Sequence, residues 1–162
     1  MPRKSRRLLG ETVCHHMVQG ITKEEIFKTE DNKEKYIELL KKYYKEFKID
    51  VIAYCIMDNH VHMLLYANDI KQISNFMKNI NSIYAMYYNK KTDRVGYVFR
   101  NRFKSVPIMD RKQLYTCIKY IHMNPVKAGK VKEESDYRYS SYNDYLNKTG
   151  FIHEEILKFI FN

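Results

Sequence analysis

The sequence predicts an α+β fold, a ferredoxin-like βαββαβ sandwich in which an antiparallel sheet carries helices on one face. Three observations lead there. Short β-branched or apolar runs fit strands, two longer segments repeat their apolar residues at helical spacing, and the two kinds alternate as strand, helix, two strands, helix, strand. With 162 residues, of which 44% are hydrophobic, the chain suits one domain with a real core.

Each element has its own signal. Thr12 to Val18 reads as the first strand, ended by Gly20. From Asn32 to Phe47, Tyr36, Ile37, Leu40, Tyr43, Tyr44 and Phe47 recur on one helical face, with lysines and glutamates on the other. Ile49 to Met57, the turn Asp58-Asn59 and His60 to Tyr66 form a hairpin expected at the centre of the sheet. Ile73, Phe76, Met77, Ile80, Ile83, Tyr84 and Tyr87 predict a helix over Ile70 to Tyr88. Gly96 to Phe99 and Phe103 to Ile108 read as a second hairpin with a basic tip at Arg100-Asn101-Arg102. Asp110 caps a helix expected to stop at Asn124, because the residue before Pro125 disfavours the α region. The expected organisation is a basic arm over residues 1–11, a domain over 12–131 and a tail over 132–162 packed on that domain.

Charge narrows the partner. Twenty-nine basic against 19 acidic residues leave +10, which attracts polyanions, nucleic acid first. No apolar run approaches a membrane span, so no membrane partner is expected. Three scattered cysteines without CxxC spacing, and no export signal, fit a reducing cytoplasm and, for a DNA-acting protein, association with the nucleoid. Arg100, Arg102 and Lys104, then Lys127 and Lys130, and Arg3, Arg6 and Arg7 of the arm are the candidate phosphate contacts.

The sharpest chemical feature is His60-Val61-His62. Residues two apart on a strand share a face, so the two imidazoles can converge on one ion, although a purely structural pair has the same pattern. Tyr120 and Asn124 are spaced i, i+4 and share a helix face. Two imidazoles with an amide oxygen make an incomplete divalent-ion site, open to water and a phosphate oxygen, and the tyrosine is a nucleophile if a cation activates it. The alternative is a core tyrosine followed by an asparagine that caps the helix. Periodicity does not choose between these.

Five blocks occur in order: Cys14 to Gly20 with Glu25-Ile26-Phe27, Ala53 to Leu65, Gly96 to Pro107, Lys119 to Val131, and Ser135 to Leu146. Together they resemble single-tyrosine HUH transposases, and within them the REP-associated branch of the insertion-sequence-200 type. The resemblance implies that His60, His62 and Asn124 bind Mg2+ or Mn2+, that Tyr120 attacks a phosphodiester of single-stranded or hairpin DNA, and that a 5′-phosphotyrosine intermediate stores the bond energy. It implies a monomer or a homodimer. Insertion-sequence relatives usually carry glutamine where this chain has Asn124, and asparagine before proline marks the REP-associated branch. Many relatives also carry arginine where Gln19 stands. A second class remains open from sequence: a non-catalytic hairpin DNA- or RNA-binding module derived from such an enzyme.

Overall fold

The computed structural model describes residues 13–100 and 104–147. Four strands form one sheet in the order β2-β3-β1-β4, all neighbours antiparallel: β1 Val13–Gln19, β2 Asp50–Ile56, β3 His60–Tyr66 and β4 Lys104–Pro107. Among the described residues four helices accompany them: α1 Glu30–Tyr43, α2 Ile70–Thr92, α3 Arg111–Lys127 and α4 Tyr142–Asn147. This is the expected ferredoxin-like order. Among the described residues no helix is long and apolar enough to cross a membrane.

Local chemistry sets the helix ends. Thr29 caps α1, its hydroxyl accepting from the Asn32 amide at 3.2 Å, and the chain leaves the helical region at Lys48, whose φ is 55°. Asp69 and Gln72 form a capping box on α2. Asp110 caps α3 through the Gln113 amide at 2.8 Å. That helix does not stop at Asn124. Pro125 lies inside its last turn, where only one backbone bond is forfeited, and the chain turns out of it at Gly129, with φ 72°.

Alternation along β1 and β3 separates two faces. Val18, opposite Val61, lies beside Ser74, Lys78 and Asn81 of α2. Rings of Phe27, Tyr36, Tyr84 and Phe99 interlock on that side, and the buried Tyr36 hydroxyl donates to Asn81 Oδ1 at 2.8 Å. The two helices of the βαββαβ unit therefore share one face. Met17, opposite His62, lies on the other face, which α3 covers.

Two further expectations need correction. The β2-β3 hairpin is not central as a whole: β3 is internal, but β2 is an edge strand. Its near-continuous apolar sequence is explained by a strap from the C-terminal segment, which pairs with it. The Ile56 amide donates to the Tyr139 carbonyl at 2.9 Å, the Ser141 amide to the Tyr54 carbonyl at 3.0 Å, and the Tyr54 amide to Ser141 Oγ at 2.9 Å. Tyr137 and Tyr139 are buried in this strap and pin it to the domain. The second correction concerns residues 96–108, whose two arms pair with β1 rather than with each other. Phe99 bridges Gly20, and Lys104 to Pro107 run beside Cys14 to Met17. Residues 101–103, including Arg102, and the arm carrying Arg3, Arg6 and Arg7 lie outside the described residues.

The strap gives a pH prediction. Buried His122 shares a 2.7 Å hydrogen bond with Ser141 Oγ. Burial pushes its pKa down to about 4, with Glu134 opposing. In the unfolded chain a histidine titrates near about 6.5, so between these values the unfolded state binds more protons and stability falls on acidification. By pH 5 the loss reaches about 2 kcal/mol, equivalent to roughly 4–8 °C. Melting curves at pH 7 and pH 5 should show the native protein losing several degrees more than His122→Asn; equal losses refute the assignment.

Candidate functional site

β3 and α3 bring His60, His62 and Tyr120 together. His62 sits at 4% exposure between β1 and α3, its ring 4.9 Å from His60 and 5.4 Å from Tyr120, centroid to centroid. Period-two alternation places both imidazoles on the α3 face of the sheet. Asn124 follows Tyr120 by one turn of the same uninterrupted helix and is half-buried, and Tyr120 remains 43% exposed at the surface of α3.

A third imidazole belongs here that sequence reasoning left out. His15 Nε2 lies 2.9 Å from His62 Nδ1, and its ring stands 6.0 Å from that of Tyr120. His15 faces Leu64 across the β1-β3 ladder, so it reaches His62 diagonally. Only strand register reveals this. Asn59, which read as a mere turn residue, accepts at 2.6 Å from His60 Nδ1 and so leaves the other ring nitrogen as the bare lone pair.

The three histidines are neutral near pH 7. Burial lowers His60, against the pull of Asp58; burial and then Lys104 lower His15; and burial, followed by His60 and His15, pushes His62 down to about 3. Neutral imidazoles keep the lone pairs that metal binding needs. Among the described residues no three His, Cys, Asp or Glu side chains group to hold a metal, so a cation here would rest on the two β3 imidazoles, an amide oxygen and exchangeable ligands. That donor set fits a divalent ion with open positions.

The predicted cations do not all converge. Lys127 Nζ stands 5.6 Å from the centre of the Tyr120 ring, and Lys104 lines the cleft beside His15 and Tyr120. Arg100 is exposed beyond the other end of β1, near Gln19 and Thr22. Lys130 is paired with Asp58, which also binds the buried Lys33 at 2.8 Å. Burial raises that carboxyl, but Lys130 and Lys33 outweigh it and hold it below the usual range. This pairing anchors the turn leading into His60.

A cleft of about 660 Å³ opens between β4 and α3, with Tyr120, His15 and His62 at one end. The arrangement offers an exposed phenol, imidazole donors and flanking ammonium groups to an anionic substrate, and among the described residues that line it there is no carboxylate to repel one.

Three comparisons bear on it. The model of the family described as transposase IS200-like matches residues 11–124. A Haemophilus influenzae protein assigned as a REP-associated tyrosine transposase is 28% identical over 122 residues, which are 67% of this chain and 69% of that one. Among solved structures, a REP-associated tyrosine transposase bound to a REP hairpin is similar, with a TM-score of 0.65 and 16% identity over 84% of this chain and 79% of that one. A crystal structure assigned to a transposase of Deinococcus radiodurans R1 matches with a TM-score of 0.51 and 14% identity, covering 67% of this chain and 89% of its own.

Proposed function

Because the chain belongs to the IS200-like transposase family, we propose that it cuts and rejoins single-stranded DNA at hairpin-forming repeats, with Tyr120 as the nucleophile. One observation carries the reading: the phenol of Tyr120 is exposed and in edge contact with His62 at the mouth of a cleft flanked by lysines. Tyr120 Oη attacks the scissile phosphorus and loses its proton, the bond from phosphorus to the 3′ oxygen breaks, and that oxygen leaves as a hydroxyl. One phosphate ester replaces another, so a later attack by a hydroxyl reverses the step without ATP.

His60 and His62, with the Asn124 amide oxygen, would hold Mg2+ or Mn2+, which when bound withdraws charge from the scissile phosphate. Imidazole donors favour Mn2+ of the two. The remaining work falls to the chain. Asn59 and His15 orient the imidazoles, and Lys104 and Lys127 hold phosphate oxygens near the phenol. The similar structure that carries a REP hairpin supports hairpin DNA as the substrate class.

The test is a pool of labelled single-stranded hairpin DNAs incubated with the protein in Mn2+, in Mg2+ or in a chelator. A band resistant to denaturant is expected with either metal, more with Mn2+ and none with chelator. DNA retention without any such band would make the chain a hairpin-binding module instead.

A further inference from the structure

The cleft beside Tyr120 is larger and more apolar than phosphate chemistry needs. On its floor, alternate residues of two paired strands face α3: Met17 of β1 with Val106 of β4. Ile108, Met109 and Cys117 close its sides, and Lys104 and Lys112 stand at the rim. Val106 and Met109 are each 45% exposed, so this apolar surface is open to solvent in a chain that carries +10. An apolar slot with cations at its edge matches one class of group, a flat aromatic base joined to anionic phosphates.

We propose that this cleft holds an unpaired nucleobase of the strand that Tyr120 attacks, with Lys104 and Lys112 on the flanking phosphates. The inference rests on the transesterase reading for its substrate and adds what the slot selects. Its volume lies in the usual range for small-ligand sites, of about 300–1,000 Å³. The two methionines suit it further, because a thioether packs well on an aromatic ring and adapts to different bases. A base still paired in a duplex presents only its edge to the outside, so it cannot slide between β4 and α3. The cleft thus supplies a reason for acting on single strands: the reacting phosphate reaches Tyr120 only when its neighbouring base has left the stack.

The experiment separates the base from the backbone. Binding of oligothymidylate is compared with binding of an abasic strand of equal length and charge, in the Tyr120→Phe protein so that no cleavage intervenes. A preference for the base-bearing strand of roughly tenfold is expected. The double variant Val106→Ser, Met109→Ala should reduce that preference at least about threefold, whereas Lys112→Ala should weaken both strands alike. A strand carrying 5-iodouracil, irradiated with the same Tyr120→Phe protein, gives an independent readout, and its cross-links should fall on the peptides containing residues 104–120. Equal affinity for the two strands, or cross-links confined to other peptides, would overturn the proposal. Because none of these readouts needs a covalent adduct, the base slot and the tyrosine chemistry can fail separately.

Discussion

Tyr120→Phe should abolish the covalent DNA adduct and reduce strand cleavage by about 10³-fold or more, while binding DNA as the native protein does. The change deletes one oxygen from a side chain that is 43% exposed, so water replaces whatever it contacted and the melting temperature should move by no more than about 2 °C. The ring itself stays. Its edge contact with His62, 5.4 Å between centroids, and the Lys127 ammonium 5.6 Å from its centre both survive in phenylalanine. The loss is then chemical rather than structural, because phenylalanine carries no hydroxyl with which to form the phosphate ester. Gel analysis under denaturing conditions, beside a binding titration, reads both halves. A phenylalanine variant cleaving at more than a tenth of the native rate would remove Tyr120 from the mechanism and point to a water nucleophile.

What the sequence made legible follows from the range of each signal. Period-two alternation is local, so it placed His60 and His62 on one face of β3 without help from the rest of the fold. Helical spacing is local too, and it paired Tyr120 with Asn124, although the rule for a residue before proline put the helix end a turn too early. The error arose because one missing bond is cheap in a final turn. His15 was invisible for the opposite reason: its contact with His62 depends on β1-β3 register across 47 residues, which no local pattern encodes. Register also explains the misread hairpin, since Phe99 and the β4 residues had two eligible partners and chose β1. The apolar run of β2 pointed to a central strand, yet an edge strand covered by the Tyr139 to Ser141 strap meets the same demand for burial. Among the cations, Lys130 shows the limit of charge counting, because its Asp58 partner is distant in sequence.

The largest stability loss from removing no atoms at all is expected at Gly20. A methyl group there would stand 2.2 Å from the carbonyl oxygen of Glu24, a backbone atom held in the turn that follows β1. That turn cannot easily give way. The Lys23 amide donates to the Gly20 carbonyl at 3.0 Å, the Ile21 amide to the Val98 carbonyl at 2.9 Å, and the Gly20 amide to the Asn59 carbonyl at 2.9 Å. Gly20→Ala must break into this set, and overpacking of this kind costs about 3 kcal/mol, or roughly 6–12 °C for a chain of this size. The displacement also reaches the site, because Asn59 is the residue whose side chain fixes His60. Gly129→Ala is the internal control. Nothing lies within 4 Å of a methyl group there, and only its φ of 72° opposes the change, so about 1 kcal/mol is expected. Melting temperatures should therefore rank native, then Gly129→Ala, then Gly20→Ala. The reverse order of the two variants would mean that the turn after β1 yields more readily than its hydrogen bonds imply, and that Gly20 does not brace the histidine pair.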